Sequence, residues 1–338
     1  MKKLDRRDFL LALSAAVATG PGCDSVSVTV ESYPGGVSTG TDGVPFMAPV
    51  TSNADFYVYQ HSLPPSPTAD SWRVEIADGD TTMAEIGIED LEGLQHRDIE
   101  LTLQCIGSGP AQRLINNAVW SGLPLVEVLE QLGIPGPPQG TVEMRVVGAD
   151  GYHAGIPIAD LEEAPLWLIW RMNGETLPEE HGWPARLMVP GRYGIKNIKW
   201  LVQVAWVPYE HVGYWDEFGW SHTGEYRCNG FIHLPLYGEA VESPAWVLGT
   251  AFAGSDPIAK VEFTDDGGQT WVECEVDYSN GPNVWTLWRL QWSPKAGDYQ
   301  IQIRVTSESG QTTVMDPDGS DPLQGYDGSM LIPVTVVP

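Results

Sequence analysis

Cys105 is the residue whose surroundings point most directly to chemistry. It ends a strand-like segment and enters a glycine-rich loop, CIGSGP, at positions 105–110. A cysteine thiolate is a soft ligand that suits soft or high-valent metals. Neighbouring glycines would let the backbone approach a bulky cofactor. A buried free cysteine is also often an inert packing residue. Taken alone, Cys105 therefore indicates either a metal ligand or a core thiol.

A second candidate site is a cluster of cations in residues 181–200, HGWPARLMVPGRYGIKNIKW. The chain has only 18 lysines and arginines, yet this short segment holds five of its basic side chains: His181, Arg186, Arg192, Lys196 and Lys199. Such local basicity in an acidic chain favours an anionic ligand such as a phosphate. Backbone N–H groups in a glycine-punctuated loop could add to the site. The alternative is a set of solvated charges that pair with nearby acids.

The overall charge excludes some classes of partner. The formal net charge is −27, from 45 acidic and 18 basic residues. Such a surface repels phosphate backbones, which argues against nucleic-acid binding. It also argues against docking on an anionic membrane through a basic patch. The acidic surface is either simply solvated or a docking face for a cationic electron-transfer partner.

The other cysteines give a weaker signal. Besides Cys105 the chain has Cys23, Cys228 and Cys274, and it contains no CxxC or CxxCH motif. A zinc ribbon and a covalently attached c-type haem are therefore not indicated. Cys228 and Cys274 could form a disulfide in an oxidising compartment, or they could be two buried free thiols.

The N-terminus has the pattern of an export signal over residues 1–23. A basic start precedes a short apolar run, and that run is too short to span a bilayer. Arg6 and Arg7 before Asp8-Phe9-Leu10 resemble a twin-arginine signal, although Asp5 departs from the usual residue. Cys23 resembles a lipoprotein processing site, and residues 24–44 resemble a flexible linker. We expect a periplasmic or cell-envelope protein that is either lipid-anchored at Cys23 or cleaved to a soluble form.

Strand and helix patterns indicate how these residues are positioned. Strand-like alternation covers 72–76, 99–105, 142–147, 187–189 and 198–206, and helical spacing covers 123–132. We predict a mixed α and β catalytic domain over 45–231. From about 232 short strands alternate with turns, including an Asp265-Asp266-Gly267-Gly268 hairpin signal. That rhythm predicts an all-β sandwich over 232–338, and thus an α+β protein.

Four segments resemble the sulfite oxidase superfamily of molybdopterin enzymes. These are LQCIGSGPAQRLINNAVWSGLPLVEVLEQLGI at 103–134, MNGETLPEEHGWPARLMVPGRYGIKNIKWL at 172–201, GYWDEFGW at 213–220, and GTAFAG with KVEFTDDGGQTW between 249 and 271. The resemblance covers about 45–338 in the family's order. It implies a molybdenum–molybdopterin cofactor and a C-terminal immunoglobulin-like domain that commonly forms dimers. The same TDDGGQTW stretch resembles an Asp box of carbohydrate-handling proteins, but we interpret it as a structural hairpin.

The resemblance also assigns roles to particular residues. It implies that Cys105 is the thiolate ligand of molybdenum. Residues implied to hold the pterin and its phosphate are Tyr57, Asp150, His181, Arg186, Asn197, Ile198 and Lys199. The remaining implied site residues, on the substrate side of the metal, are Tyr59 and Trp220.

Departures from the family pattern bear on the substrate. Tyr59 stands where sulfite oxidases have an arginine, no arginine directly follows Cys105, and Trp220 appears in place of a family tyrosine. Each charge-assisted hydrogen bond lost from an anion pocket is worth about 1.5–3 kcal/mol. Sulfite is therefore disfavoured, and a neutral or larger substrate is expected. Compensation by Arg113 or Arg192 is the alternative.

The predicted function is oxygen-atom transfer at molybdenum, with an external electron carrier such as a cytochrome as acceptor. Two alternatives remain at this stage. One is an exported sulfoxide-type reductase, against which the C-terminal sandwich counts. The other is a non-enzymatic binding protein that kept the fold, against which the retention of Cys105, His181, Arg186 and Lys199 counts.

Overall fold

The computed structural model describes residues 37–41, 43–62, 65, 69–109, 113–159, 165–315 and 321–338. The predicted export signal at 1–23, most of the linker and Cys23 lie outside these ranges. In the part of the chain that is described, no helix has the length and apolar character needed to cross a bilayer. Strands dominate, so the α+β prediction is confirmed only in part.

Two five-stranded sheets make up the first part of the chain. One has the order β10-β9-β6-β5, with β11 also paired to β9; the other has the order β4-β3-β12-β7-β8, in which only β3 and β12 are parallel. Their strands are β3 (Arg73–Asp78), β4 (Thr81–Gly87), β5 (Arg97–Gln104), β6 (Ile115–Pro124), β7 (Glu143–Gly148), β8 (His153–Pro157), β9 (Trp167–Met172), β10 (Glu175–Thr176), β11 (Arg186–Met188) and β12 (Leu201–Val207). A two-stranded sheet of β1 (Val37–Thr39) and β2 (Pro45–Met47) precedes them.

Helical structure in this part is short. The helix α1 covers Ile88–Glu92 and α2 covers Leu125–Gln131, with 3-10 turns at Glu179–His181, Gly194–Lys196 and Asp216–Phe218. The predicted helix is therefore confirmed, although its first two residues end β6. Its apolar stripe is also confirmed, because Leu125, Val128 and Leu129 are all buried in the main core. That core includes side chains from both sheets and from α2.

A sandwich of two sheets follows, in which every strand pair except β14 with β21 is antiparallel. One sheet has the order β13-β15-β19-β18 and the other β14-β21-β20-β16-β17. The strands are β13 (Asn229–Leu234), β14 (Ala240–Glu242), β15 (Ala245–Phe252), β16 (Ile258–Thr264), β17 (Val272–Glu273), β18 (Glu275–Tyr278), β19 (Thr286–Trp292), β20 (Gly297–Ser307) and β21 (Ile332–Val337), with a 3-10 turn at Pro322–Gln324. The predicted hairpin is confirmed, because β16 pairs antiparallel with β17.

The boundary that we predict between 231 and 232 falls inside β13, and the division of the chain into domains stays a prediction. Cys228 and Cys274 are both free thiols buried in the core of the sandwich. Of the two alternatives for this pair, the structure therefore contains the free thiols and not the disulfide.

Strand β5 lies where the two parts of the chain meet. Ile99, Leu101 and Leu103 pack in one apolar cluster, as the alternation predicts. The opposite face is buried as well, because it contacts the sandwich side of the molecule. Thr102 N–H donates to the carbonyl of Asn283 (2.8 Å), and Thr102 Oγ1 accepts from Trp285 N–H (2.8 Å). The strand that leads to Cys105 is thus fixed from both faces.

Candidate active site

A cavity of about 250 Å³ opens beside the end of β5. Its walls come from five stretches of chain: the run at 56–61, the end of β5 with the following loop, the turn between β7 and β8, the segment 181–200 and the loop after β12. The residues that line it are Phe56, Tyr57, Tyr59, Gln60, His61, Leu103, Cys105, Ile106, Gly107, Leu114, Asp150, Tyr152, His181, Arg186, Gly194, Ile195, Asn197, Lys199, Trp200, Trp215 and Trp220.

The fold brings nearly all of the predicted site residues to this cavity. Those that line it are Tyr57, Tyr59, Cys105, Asp150, His181, Arg186, Asn197, Lys199 and Trp220. Ile198 does not line it. Its side chain is fully buried in the core between the sheets, and its carbonyl accepts from Leu187 N–H at 2.8 Å. The Ile198 side chain is therefore a core group, and the implied contact of the 197–199 backbone with the cofactor stays a prediction.

Cys105 sits at the turn that ends β5. Its N–H donates to the carbonyl of Leu114 (3.0 Å), and its carbonyl accepts from Ser108 N–H (2.9 Å). Gly107 lies close to the thiol: a Cβ at this position would be 4.0 Å from Cys105 Sγ and 3.6 Å from Trp220 Cη2. The glycine thus leaves open the space between the thiol and Trp220.

The thiol of Cys105 is not ionised by its protein surroundings. Burial raises its pKa to about 11, although hydrogen bonds from the backbone of Gly107 and Ser108 act in the opposite direction. Burial likewise raises the pKa values of Tyr57 and Tyr59 on the same wall. A neutral thiol that borders an open cavity can become a metal ligand when a cation replaces its proton.

Arg186 is a buried cation with no carboxylate beside it. Its Nη1 donates to the carbonyl of His181 (2.9 Å), and the guanidinium carbon lies 5.0 Å from the ring centre of Trp120. Its Nε is buried without a partner. Burial lowers the pKa of Arg186 to about 10, so it stays charged at neutral pH.

Lys199 brings a second cation to the same wall. Its Nζ donates to Gln60 Oε1 (3.0 Å) and to the carbonyl of Glu180 (2.9 Å). Burial, and then the charge of Arg186, lower the pKa of Lys199 to about 7. Arg186 thus disfavours the charged form of Lys199, and an anion bound in the cavity would relieve that repulsion.

Two further predicted residues complete this wall. His181 Nε2 lies 3.1 Å from the carbonyl of Asn53, which can only accept, so this nitrogen carries the proton. Burial lowers the pKa of His181 to about 4, so its ring is neutral and Nδ1 is an acceptor. Asn197 Oδ1 accepts from Val189 N–H (2.8 Å), and its amide donates to the carbonyls of Arg192 and Tyr193. Asn197 therefore shapes the loop next to the cavity.

The predicted basic cluster divides into two groups. His181, Arg186 and Lys199 line the cavity, whereas Arg192 and Lys196 do not. Arg192 lies 3.5 Å from Glu225. Lys196 is buried, but its Nζ donates to the carbonyl of Gly155 (3.1 Å) and lies 3.7 Å from Asp216 Oδ1. Spacing along the chain could not separate the two groups, because the turn at Gly194–Lys196 directs successive side chains differently.

Gln60, His61, Tyr152 and Trp215 are among the lining residues that the sequence did not assign to the site. Trp215 lies in the GYWDEFGW segment, and the other three lie within two residues of the assigned Tyr59 or Asp150. Gln60 accepts from Lys199, as described above, and His61 Nδ1 lies 4.0 Å from Asp150 Oδ2. Asp150 Oδ1 also accepts from Tyr152 N–H at 3.1 Å. An acid, a histidine and a tyrosine thus adjoin on one side of the cavity.

The residues present fit a metal-bearing cofactor with a phosphate. The orphaned Nε of Arg186 and the cation of Lys199 call for an anion, and the thiol of Cys105 faces the same space. Among the described residues no group of three or more His, Cys, Asp or Glu side chains is arranged to hold a metal ion by itself. A metal at Cys105 would therefore need most of its ligands from the cofactor.

Comparison with known proteins agrees with this site. Residues 61–215 match the family described as "Oxidoreductase molybdopterin binding domain". The chain is 28% identical to human mitochondrial sulfite oxidase over 309 residues, which cover 75% of this chain and 55% of that protein. It is 25% identical to the NADH nitrate reductase of Cichorium intybus, over 72% of this chain and 33% of that protein. The chain thus spans about half or less of the length of these curated relatives.

The fold has a counterpart among solved structures. The sulfane dehydrogenase SoxCD of Paracoccus pantotrophus superposes with a TM-score of 0.73, over 91% of this chain and 92% of that chain, at 18% sequence identity. At this identity the likeness shows the fold alone.

Residues 61–215 thus form a molybdopterin-binding domain of the oxidoreductase class. The chain is related to sulfite oxidases and to nitrate reductases, which agrees with the predicted sulfite oxidase superfamily. The predicted family, the predicted enzyme class and the predicted molybdenum–molybdopterin cofactor are therefore confirmed.

Proposed function

We propose that this protein transfers an oxygen atom to or from a neutral substrate at a molybdenum–pterin group held in the cavity beside Cys105. The observation that carries the proposal is the arrangement of three side chains around one space: the Cys105 thiol and the cations Arg186 and Lys199. When bound, the cofactor supplies the two-electron oxygen-atom chemistry, and an external carrier takes the electrons.

The part of the protein is to bind and orient that group. Cys105 supplies a thiolate from a strand that is fixed on both faces. Arg186 and Lys199 supply charge-assisted hydrogen bonds to the phosphate, and the neutral His181 supplies an acceptor nitrogen. Asp150 and Tyr57 border the same space. These roles follow from position and chemistry, with one side of the cavity for the anion and one for the metal.

The substrate side supports a neutral substrate. Tyr59, Trp215 and Trp220 line the cavity near Cys105, and no arginine other than Arg186 does so. Every lysine and arginine after residue 36 is described, and neither Arg113 nor Arg192 lines the cavity. The compensation that either could have given to an anionic substrate is therefore not supported. A small dianion such as sulfite would lack two charge-assisted bonds, each worth about 1.5–3 kcal/mol.

The setting of the enzyme follows from its charge and its N-terminus. A net charge of −27 favours a cationic electron carrier, such as a basic cytochrome, since opposite charges steer association. The twin-arginine-like segment supports export to the periplasm or cell exterior, with Cys23 as a possible lipid anchor. The C-terminal sandwich supports a homodimer by analogy with the family.

The test is the molybdenum content of the purified protein, expressed in a host that makes and exports the cofactor. We compare wild type, Cys105→Ser and, as a matched control, Cys228→Ser, whose thiol is buried in the sandwich core. Wild type and Cys228→Ser should contain stoichiometric molybdenum, while Cys105→Ser should show an altered metal spectrum and no turnover. Dye-coupled assays would then compare sulfite with neutral sulfoxides. A wild-type protein without molybdenum would overturn the proposal, and efficient sulfite oxidation would overturn its substrate class.

A further inference from the structure

The mouth of the cavity is formed by a loop with little regular structure. The loop runs over 208–228, between β12 and β13, and a 3-10 turn at Asp216–Phe218 is its only helical or strand element. Trp215 and Trp220 of this loop line the cavity, and the ring of Tyr214 packs edge-on against His61 at 4.4 Å. Backbone bonds hold two points of this loop, from Tyr214 N–H to the carbonyl of His153 (3.0 Å) and from Ser221 N–H to that of Leu323 (3.0 Å), and side-chain bonds hold it between them.

His222 provides such bonds in two directions. Its Nδ1 lies 2.8 Å from Asp216 Oδ2, within the loop, and its Nε2 lies 2.9 Å from Glu143 Oε1, at the start of β7. The same carboxylates hold the loop backbone: Asp216 accepts from Gly213 N–H (2.9 Å) and Glu143 accepts from His211 N–H (2.7 Å). We call His222, Asp216 and Glu143 the His222 clasp.

The clasp needs a protonated imidazole. A neutral imidazole has one N–H, and an ionised carboxylate can only accept, so two such bonds require both ring nitrogens to carry protons. Burial opposes the charged ring, but the bonds with Glu143 and Asp216 outweigh burial and raise the pKa of His222 above its usual value.

The charges around the clasp oppose one another, because Glu143 raises the pKa of His222 whereas Lys196 lowers it. Glu210 lies 3.9 Å from His222 Nε2, and the buried Lys196 lies 3.7 Å from Asp216. With His222 protonated, three carboxylates face two cations; after its deprotonation they face only Lys196. Repulsion among the carboxylates would then add to the loss of one hydrogen bond.

Three further titratable groups, His211, His153 and Arg145, lie beside the clasp. His211 and His153 join their rings at 3.0 Å, and burial lowers the pKa of His211 to about 4, which leaves its ring neutral above that pH. Arg145, on the strand of Glu143, lies 3.1 Å from Asp80. His222 is thus the histidine of the cluster that lies between two carboxylates.

We propose that His222 is a positioning residue that holds Trp215 and Trp220 at the cavity mouth while it is protonated and releases their loop when it loses its proton. The pH dependence of the loop is independent of the proposed function, and only its effect on substrate binding rests on that function. Because the folded state favours the protonated ring, the stabilisation is fully present below the unfolded value of about 6.5 and is lost as pH rises through the folded value.

The experiment measures hydrogen–deuterium exchange of residues 208–224 between pH 6 and 9, corrected for the intrinsic rate, on the purified full chain. Protection in wild type should be constant near pH 6 and fall by up to about tenfold per pH unit above the folded pKa of His222. His222→Gln should lose protection at every pH. Glu143→Gln should retain part of the protection but lose its pH dependence, because its amide can pair with a neutral imidazole. His96→Gln, at an exposed histidine beside Trp170, should match wild type.

Protection of the wild-type loop that does not change with pH would overturn the inference. Exchange rates in His222→Gln that equal those of wild type would overturn it as well. Molybdenum is measured in the same samples, which separates the two proposals. A protein without molybdenum but with a pH-dependent loop would refute the function and keep the clasp. A molybdenum-containing protein whose loop exchange does not change with pH would refute the clasp and keep the proposed function.

Discussion

Arg186 allows a sharp test of the anion site, because its replacement by methionine should affect the empty and the loaded protein differently. In the empty protein the guanidinium is buried without a carboxylate, and burial holds its pKa at about 10 against an ordinary 12.5. That depression corresponds to about 3 kcal/mol that disfavours the charged form. Removing the cation therefore relieves a cost before any ligand is present.

Other losses in the empty protein roughly cancel that relief. The bond from Nη1 to the carbonyl of His181 contributes about 1.5–3 kcal/mol. The contact with the ring of Trp120 contributes about 0.5–2 kcal/mol. We therefore expect the free energy of unfolding of the cofactor-free protein to change by less than about 2 kcal/mol in Arg186→Met.

The loaded protein should lose much more. Two charge-assisted bonds from the remaining guanidinium donors to a phosphate are worth about 3–6 kcal/mol together. The stabilisation that the cofactor confers on the protein should fall by this amount, which corresponds to roughly 10²–10⁴-fold weaker retention. The assay is urea unfolding of the cofactor-free and loaded forms, together with molybdenum content after dialysis.

The matched control is Arg97→Met. Arg97 also lies over a tryptophan ring, that of Trp167 at 5.7 Å, but it is exposed and pairs with Glu127 at 2.7 Å. In Arg97→Met, the free energy of unfolding should change by less than about 1 kcal/mol in both the cofactor-free and the loaded protein. The reasoning is refuted if Arg186→Met destabilises the cofactor-free protein by as much as the loaded one, since Arg186 would then be a structural residue and not an anion ligand.

Three further predictions concern the site and its supports. Sulfate, which is a dianion over this pH range, should bind the cofactor-free protein with constant affinity below pH 7 and up to about tenfold more weakly for each pH unit above it. The reason is that burial gives Lys199 a pKa of about 7 and the anion stabilises the charged form of Lys199. In calorimetric titrations, Lys199→Gln should remove this dependence of affinity on pH. Thr102→Val should lower the free energy of unfolding by about 1–3 kcal/mol for each buried partner left unpaired, including Trp285 N–H. It should also increase the reactivity of Cys105 towards thiol reagents in the cofactor-free protein. Unchanged reactivity would mean that the sandwich does not fix the strand that leads to Cys105. Trp220→Ala should raise KM while molybdenum content stays that of wild type, and loss of molybdenum would move Trp220 to the cofactor side.

The sequence predicted those parts of the fold that depend on local periodicity. The alternation of Ile99, Leu101 and Leu103 marked the buried face of β5, and the spacing of 125–132 marked α2. These patterns survive folding because each follows from the geometry of one element and one apolar face. The second buried face of β5 gave no such signal: Thr102 and Gln104 are polar, and they are buried only because distant residues such as Trp285 cover them.

For the site, the sequence by itself determined the chemistry, and tertiary structure decided the geometry. The types of Cys105, Arg186 and Lys199, and the resemblance of their segments, were enough to indicate a metal thiolate and an anion site. Residue type and spacing could not separate Arg186 from Lys196, because both are cations in one basic segment, and only the family resemblance assigned a role to Arg186. Only the folded chain turns one towards a carbonyl and an open cavity and the other towards Asp216. Burial without a carboxylate partner is a property of three-dimensional packing, and it is this property that supports Arg186 as an anion ligand and Lys196 as a structural charge.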